Sequence, residues 1–292
     1  MKSPFLRSAV SALSAAFCAT VFALPNVPYS DFRINESAID NVGLVSGNPY
    51  TFVADNITGS YVERFRTDTF VPDGLGGGTG TFTTSAYFNI KGFNKDDNLN
   101  PAASVFFGAD PIIAVVRGYD LYGLFTSTGS FTVSAGGTDF LGSIAGFKLY
   151  VDEAQDPLPA FTGGSSSLTL NIPNAQPDDK LLVSSSLIIG GNGLVDPVGP
   201  FFGGFAILFD GIDSGLTALG QQYFYEPDPF YMVAYTSGQF ASFFTPPGAG
   251  NVIQLDGSMD IRFGNVVPEP SALALVGLAL LGLGMTRARR RS

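Results

Sequence analysis

The sequence predicts an all-β protein, whose main part is an antiparallel β-sandwich ectodomain between an N-terminal signal peptide and a single C-terminal helix. Only 14% of the 292 residues are charged, whereas glycine (36 residues) and phenylalanine (27 residues) are abundant. This composition is typical of strands with many turns and differs from that of helical bundles and disordered chains. Apolar and polar residues also alternate with a period of two in several short segments, and turns rich in glycine and proline separate those segments.

The N-terminal element, residues 1–23, has the three parts of a secretory signal peptide. Lys2 and Arg7 supply the positive region, an uncharged apolar run follows, and small residues precede a cleavage point between Ala23 and Leu24. Signal peptidase is therefore an expected partner. A permanent membrane anchor is the alternative, but the run is short and rich in alanine and serine, which disfavours it.

Residues 24–265 form the predicted acidic ectodomain. This range carries 24 acidic and 9 basic residues, which gives a net charge of −15. Such a surface repels nucleic acid, so no nucleic-acid partner is expected. The whole chain has no histidine, and its one cysteine, Cys18, lies within the signal peptide. The ectodomain therefore lacks the residues that Ser-His-Asp catalysis, Cys-His catalysis, a His-ligated zinc site or a disulfide would need.

Strands are predicted wherever the alternation is clear. Half-buried strands are expected at residues 81–91, 147–151, 168–172 and 258–263, and central strands at the continuous apolar runs 112–116, 181–189 and 205–209. Residues 214–221 are the one weak helical candidate. Many short strands at this spacing indicate a β-sandwich.

One polar loop is a candidate cation site. Oxygen ligands are concentrated at Asn94, Asp96, Asp97 and Asn98, and calcium prefers six to eight oxygens. The spacing is not that of an EF-hand, however, since the central glycine and the terminal glutamate are absent. A solvated turn, whose side chains bind their own backbone, explains the same residues. No cofactor is therefore assigned, and calcium remains a hypothesis.

Two further features bear on sugar chemistry. Paired carboxylates can hydrolyse glycosides without histidine, so a secreted carbohydrate-active enzyme is one alternative function. No recognisable motif brackets two acids, and we predict that the protein is not an enzyme. The aromatic segments 223–226 and 230–231 are compatible with a sugar-binding shelf, or with ordinary core packing.

The C-terminal element, residues 266–292, has three parts in a fixed order. Pro268, Glu269 and Pro270 precede an uninterrupted apolar run, Ser271–Met285. As a helix this run measures roughly 22 Å, which is short of the ~30 Å hydrocarbon core of a membrane. The run is followed by four arginines: Arg287, Arg289, Arg290 and Arg291. The positive-inside rule places these arginines on the cytoplasmic side and the ectodomain outside.

These three parts resemble the PEP-CTERM sorting signal of Gram-negative bacteria. The resemblance implies that Pro268, Glu269 and Pro270 are the recognition motif and that the four arginines stop transfer. It also implies export across the inner membrane, transient anchoring there, cleavage near the motif by the membrane protease exosortase, and delivery to the cell surface or to an exopolysaccharide matrix. A permanently membrane-anchored envelope protein is the alternative.

A second resemblance concerns the beginning of the ectodomain. Residues 31–63, and above all the run from Asp55 to Tyr61, are similar to the opening of flocculation-associated PEP-CTERM proteins. This resemblance implies an extracellular matrix protein that promotes cell aggregation together with exopolysaccharide. Biofilm formation is the corresponding biological setting.

Overall fold

The computed structural model describes residues 30–39, 50–96, 100–101, 118–134, 137–155, 159–171, 179–195, 203–240 and 248–265. All of them belong to one compact unit, residues 27–265. The signal peptide, the C-terminal element and the predicted strand at 112–116 lie outside the described residues.

The described residues are mostly β-strand. The strands are β1 (Phe32–Asn35), β2 (Thr51–Ala54), β3 (Asn56–Pro72), β4 (Gly78–Lys95), β5 (Asn100–Pro101), β6 (Asp120–Ser134), β7 (Gly137–Asp152), β8 (Ala160–Phe161), β9 (Leu170–Asn171), β10 (Asp179–Ser185), β11 (Leu187–Val195), β12 (Gly204–Asp210), β13 (Phe224–Glu226), β14 (Val233–Phe240) and β15 (Val252–Gly264). The helical segments are a 3₁₀ turn (Glu36–Ala38), α1 (Ile212–Gly215) and α2 (Ala218–Tyr223).

Eight long strands pair into a closed, entirely antiparallel sheet. The pairing runs in the order β3–β4–β6–β7–β11–β12–β14–β15 and returns from β15 to β3. The structure thus confirms the all-β class and the antiparallel pairing. The sandwich arrangement is not confirmed, because these strands form one sheet whose two ends pair with each other through β15 and β3.

The alternation of apolar and polar residues along each strand matches the side chains that face the interior of this sheet. Residues 82, 84, 86, 88 and 90 of β4 are all buried, whereas their neighbours at 81, 83, 87, 89 and 91 are exposed or half-buried. The same pattern confirms the predicted strands at 147–151 in β7 and 258–263 in β15. The predicted strand at 168–172 is shorter than expected, since pairing covers only Leu170–Asn171 within the described part of that segment.

Other expectations are met in altered form. The apolar run 181–189 is divided between β10 and β11 by Ser186, and 205–209 lies in the central strand β12. The weak helical candidate 214–221 becomes two short helices, α1 and α2, of four and six residues. Thr217 caps α2, because its Oγ1 accepts a hydrogen bond from the backbone N–H of Gly220 at 3.0 Å.

A small sheet, in the order β13–β1–β2, packs on one end of the closed sheet. Phe32 of β1 makes an edge-to-face contact with Phe263 of β15, with ring centroids 5.2 Å apart. Phe52 of β2 meets Phe93 of β4 at the same distance. These aromatic contacts close that end of the interior with apolar side chains.

Strand β7 changes partner along one edge. Its residues 138–141 pair with β11, and its residues 147–152 pair with β10. Residues 142–146 form no strand pairing on that edge within the described part of the chain. The closed sheet therefore has a gap between β7 and the β10–β11 junction.

Candidate functional site

The closed sheet encloses an apolar cavity, which we call the interior cavity. The centre of a water molecule can occupy about 70 Å³ of it, and one bound water requires roughly 15 Å³. It is lined by Tyr61, Glu63, Phe65, Phe82, Thr84, Ala86, Phe88, Phe125, Ser127, Phe140, Gly142, Ile188, Gly191, Gly193, Phe205, Ile207, Phe209, Thr236 and Leu255. The space is therefore large enough for a few waters, and it is about half of the ~150 Å³ cavity that binds benzene in another protein.

Aromatic rings form most of the cavity wall. Phe65 stacks on Phe82 at a centroid distance of 5.0 Å and meets Phe140 edge-on at 5.5 Å. Tyr61 meets Phe205 edge-on at 5.3 Å. Rings in contact with several others are held in fixed orientations, so the shape of the wall is set in advance of any ligand.

Glu63 places a carboxyl group on this apolar wall. It lies on the inward face of β3 between Tyr61 and Phe65, and both neighbours are almost fully buried. Thr84 of β4 donates a hydrogen bond to its Oε1. Burial raises the pKa of the Glu63 carboxyl to about 7, and the Thr84 hydrogen bond offsets part of that rise. The carboxyl therefore changes charge near neutral pH.

Two hydroxyl groups in the wall have no hydrogen-bond partner among the described residues. They are the hydroxyl of Tyr61 and Oγ1 of Thr236, on side chains that are 2% and 1% exposed. Burial, together with the negative charges of Glu63 and Asp256, raises the pKa of Tyr61 far above its usual value. Tyr61 is therefore a neutral hydrogen-bond donor at any physiological pH.

The wall is less buried on some strands than on others. The wall residues on β4, β6, β14 and β15 are buried, whereas the half-buried ones lie on β3, β7, β11 and β12: Glu63, Phe140, Gly142, Ile188, Gly193, Phe205 and Ile207. Gly142 lies in the unpaired stretch of β7, and a Cβ atom built there would lie 3.6 Å from Cδ1 of Ile188.

A second buried polar cluster joins three elements. The Tyr119 hydroxyl lies 3.0 Å from Oε1 of Glu36 and 2.7 Å from the Tyr223 hydroxyl. All three side chains are fully buried, and burial raises the pKa of both tyrosines well above the usual value. The cluster ties the 3₁₀ turn to α2 inside the fold, so its geometry indicates a structural role.

The predicted calcium loop is partly visible. The Lys95 ammonium lies 2.8 Å from a carboxylate oxygen of Asp31, 3.0 Å from Asp96 and 3.9 Å from Asp55. Hydrogen bonds with Asp31 and Asp96 raise the pKa of Lys95. Asn94 instead donates to Thr58 Oγ1 at 3.2 Å. A lysine thus occupies the position between the carboxylates that a cation would need.

The remaining predicted ligands of that loop, Asp97 and Asn98, lie outside the described residues. Within the described ranges, no group of three or more acidic or cysteine side chains is arranged to hold a metal ion. The calcium hypothesis therefore stays a prediction.

The aromatic segments 223–226 and 230–231 lie largely in the core. Tyr223, Phe224 and Phe230 are 4% exposed or less. Phe224 and Phe230 contact Phe263 at centroid distances of 5.6 and 5.1 Å. These rings have no free face for a sugar, which favours the core-packing interpretation over a binding shelf.

No pattern in the sequence predicts the interior cavity. Glu63 is the one carboxylic acid among the described residues of its wall, so the wall does not supply the two carboxylates that glycoside hydrolysis requires. The signal that singles out Glu63 is its position: it occupies an inward-facing place in the alternation of β3, between two aromatic residues. The hydroxyls of Tyr61 and Thr236 give no comparable signal, because both residue types are common in strands.

The predicted sorting residues, Pro268, Glu269, Pro270 and the arginines at 287, 289, 290 and 291, lie outside the described residues. So do the signal-peptidase residues Ala23 and Leu24. In the part of the chain that the structure describes, no helix has the length and apolar character needed to cross a membrane. The apolar run Ser271–Met285 lies outside that part.

Comparison with known proteins gives three findings. No curated protein matches the chain. Among solved structures, the crystal structure of Ail, the attachment invasion locus protein of Yersinia pestis, matches at 9% sequence identity with a TM-score of 0.18, over 71% of this chain and 95% of that chain. A TM-score this low supports no inference about fold or function.

The third finding concerns the C-terminal element. The family model of the PEP-CTERM protein-sorting motif matches residues 266–291, the range in which the Pro-Glu-Pro triplet, the apolar run and the arginines occur. The resemblance of the ectodomain to flocculation-associated proteins is not confirmed by these comparisons. The chain is therefore a carrier of the PEP-CTERM protein-sorting motif, which marks it as an exported protein sorted by an exosortase.

Proposed function

We propose that this protein is a non-enzymatic component of the extracellular matrix of a Gram-negative bacterium, where it promotes cell aggregation and flocculation together with exopolysaccharide. The observation that carries the proposal is the sorting motif at residues 266–291, in a chain whose residues 27–265 form a compact unit of their own. The similarity of residues 31–63 to flocculation-associated proteins supports the finer assignment.

The proposed route of delivery has two cleavages. Signal peptidase removes residues 1–23 between Ala23 and Leu24 after export. The apolar run Ser271–Met285 then holds the chain in the inner membrane for a limited time, and the arginines after it remain in the cytoplasm. Exosortase cleaves near Pro268–Pro270 and releases the ectodomain to the cell surface or matrix.

Released from both basic ends, the ectodomain carries its net charge of −15. A rigid closed sheet resists unfolding outside the cell, and its exposed loops are available for polysaccharide or for neighbouring cells. We propose no resident cofactor. Calcium in the loop around Asp96 remains testable, because a ligand bound only by the folded state must raise the melting temperature.

The proposed function is tested by deleting the coding region and measuring cell aggregation. We expect aggregation to fall in the deletion strain and to recover when the full chain is restored. A chain in which Pro268, Glu269 and Pro270 are all changed to alanine should not restore it, because unsorted protein does not reach the matrix. Unchanged aggregation in the deletion strain would contradict the proposal.

A second measurement separates adhesion from catalysis and from permanent anchoring. The purified chain is incubated with matrix polysaccharide, and both retained protein and released sugar are measured. Adhesion predicts retention without product, whereas the alternative carbohydrate-active enzyme predicts product. Mass spectrometry of the mature protein tests anchoring, since a C-terminus at Ser292 is incompatible with exosortase cleavage.

A further inference from the structure

The compact unit ends immediately before the sorting motif. Its last residue is Asn265, and the match to the motif begins at the next residue of the chain. Only Val266 and Val267 separate Asn265 from Pro268. Even when fully extended, this connection spans at most roughly 11 Å between the Cα atoms of Asn265 and Pro268. A protease that cleaves near Pro268 therefore acts within a short reach of the folded chain.

The end of β15 is held firmly in the fold. Gly264 still pairs with Val233 of β14. Phe263 is 1% exposed and contacts the rings of Phe32 and Phe230 at centroid distances of 5.2 and 5.1 Å. Opening this end, to lengthen the extended segment before the motif, would expose these rings to water. We therefore expect cleavage to take place beside the folded end of the sheet, and not on a long unfolded segment.

Ser30, Met232 and Asn265 lie together at this end, and we call the surface that they form the exit surface. The backbone N–H of Met232 donates to Oδ1 of Asn265 at 3.1 Å, and the backbone N–H of Ser30 donates to the backbone oxygen of Phe263 at 3.4 Å. Met232 is 56% exposed, which makes it one of three large apolar side chains among the described residues that are more than half exposed. A single exposed apolar side chain is ordinary on a protein surface, but this one lies beside the point where the chain continues to its cleavage motif.

We propose that the exit surface is a docking surface for exosortase, so that the protease recognises the folded end of the closed sheet as well as the motif at 266–291. The short connection to Pro268 brings the protease against this surface, and Met232 supplies an apolar contact. None of the three side chains of the exit surface carries a charge, so an apolar partner can cover them without burying an unpaired charge. This inference rests on the delivery route proposed above, but it can fail while that route holds.

Substitution at position 232 tests the contact. Met232→Asp places a charge in it, so we expect exosortase to process the full-length chain at least about fivefold more slowly in cells, as measured by pulse labelling. Leu75→Asp is the matched control, because Leu75 is 92% exposed in the turn that follows β3. That turn lies far from the exit surface, since β3 begins beside the end of β15, where Ile57 pairs with Ile261, and runs away from it to Pro72. The control chain should be processed at the natural rate.

An insertion separates docking from simple obstruction. A flexible segment, Gly-Ser-Gly-Ser-Gly-Ser, is inserted between Asn265 and Val266, which lets the motif bind without bringing the exit surface to the protease. Docking predicts processing slower by about threefold or more, because the two contacts are no longer held together by a short connection. If the folded end only obstructed the protease, the same insertion would accelerate processing, and the proposal would be overturned. The same segment inserted between Gly74 and Leu75, both exposed, is the control and should leave processing unchanged.

Photo-crosslinking in cells measures the contact directly, and it keeps the test decisive if Met232→Asp does not fold. The photoreactive amino acid p-benzoylphenylalanine at position 232 should crosslink the full-length chain to a catalytically inactive exosortase, and the same amino acid at position 75 should not. Crosslinking of position 232 to lipid alone overturns the proposal. A folded Met232→Asp chain that is processed as fast as Leu75→Asp overturns it as well. If the natural chain were not cleaved at all, the delivery route would fail, and this inference with it.

Discussion

At the scale of the single residue, Glu63 combines two opposing features. Its position in β3 forces the carboxyl into the apolar interior, where ionisation is unfavourable. The hydrogen bond donated by Thr84 stabilises the ionised form, but only in part. The result is a group that is protonated in the folded chain at mildly acidic pH and ionised at alkaline pH.

This position makes the free energy of unfolding depend on pH. In the unfolded chain the Glu63 carboxyl ionises near pH 4.5, and in the folded chain near pH 7. Below pH 4.5 both states are protonated and Glu63 has no effect. Between the two values the unfolded chain alone releases its proton, so stability falls as the pH rises, and above pH 7 the loss is complete.

We therefore expect Glu63→Gln to remove this contribution. Between pH 4.5 and pH 7, the free energy of unfolding of the unchanged chain should fall relative to that of the variant by at most about 3 kcal/mol. Contact of the carboxyl with solvent makes this fall smaller. Urea denaturation at pH 4, 6 and 8 measures the difference. Glu226→Gln is the control, because Glu226 lies on the surface beside Arg33 at 3.0 Å. A difference between the chain and Glu63→Gln that does not change with pH would refute the assignment.

At the scale of the element, Arg64 holds the β8–β9 segment on the outer face of β3. Its Nη1 donates to the backbone oxygens of Gly164 at 2.5 Å and Ser167 at 2.8 Å. Its guanidinium carbon also lies 4.6 Å from the centre of the Phe161 ring. The two-residue strands β8 and β9 contribute little pairing of their own, so this one side chain supplies much of their attachment.

Arg64→Ala should therefore loosen residues 159–171 without unfolding the closed sheet. We expect hydrogen exchange of that segment to accelerate by about tenfold or more, while the melting temperature changes by only a few degrees. Exchange read by mass spectrometry of the corresponding peptide measures this. Arg66→Ala, which breaks a surface ion pair with Asp68 at 2.6 Å, should leave exchange of the segment unchanged. Equal effects of the two variants would contradict the attachment role.

Glycines in the closed sheet differ in how closely the neighbouring chain approaches. A Cβ atom built at Gly129 of β6 would collide with the backbone oxygen of Leu141 and would lie 2.8 Å from the Phe82 ring. The backbone cannot move away there without breaking the pairing of β6 with β7. At Gly142, by contrast, a Cβ atom meets its neighbours at 3.5 Å or more.

Gly129→Ala should consequently destabilise the fold by about 2 kcal/mol or more, as other overpacking substitutions do. Gly142→Ala should change stability by less than about 0.5 kcal/mol. Chemical denaturation of the two variants side by side measures the contrast. Equal tolerance of alanine at both positions would mean that β6 and β7 pair in a different register.

The sequence predicts individual strands better than their arrangement. The alternation of apolar and polar residues predicts which side chains face inward in the segments 82–90, 147–151 and 259–263. This is possible because a strand with one buried face shows that face in its own sequence. The closed sheet depends on pairs such as Ile57 with Ile261 and Leu141 with Asn192. No local pattern encodes partners so far apart in the chain.

The candidate site cannot be predicted from the sequence for the same reason. Tyr61, Glu63 and Thr236 become a site only when β3 and β14 are brought round one interior, which depends on the closure of the sheet. The sorting motif, in contrast, is read from contiguous residues by its receptor. The motif could therefore be predicted from the sequence, and the family model confirms it as a whole over residues 266–291.

At the scale of the whole molecule, the distribution of charge separates the compact unit from its C-terminal element. The ectodomain has a net charge of −15, whereas four of the last six residues are arginines. The membrane potential and the anionic cytoplasmic leaflet both favour keeping such a cluster inside. We therefore expect the orientation of the C-terminal element in the membrane to depend on the positive charge of the cluster.

Replacing Arg287, Arg289, Arg290 and Arg291 together by glutamine should therefore prevent correct sorting, because nothing then retains the short apolar run at the inner face of the membrane. Replacing the same four residues by lysine preserves the charge and should preserve sorting. Cell fractionation followed by mass spectrometry of the C-terminus distinguishes the two chains: the lysine chain should be processed like the natural one, and the glutamine chain should not. If the glutamine chain were processed normally, the cluster would have no part in sorting. If the lysine chain failed as well, the guanidinium group itself, rather than its charge, would be what the sorting machinery reads.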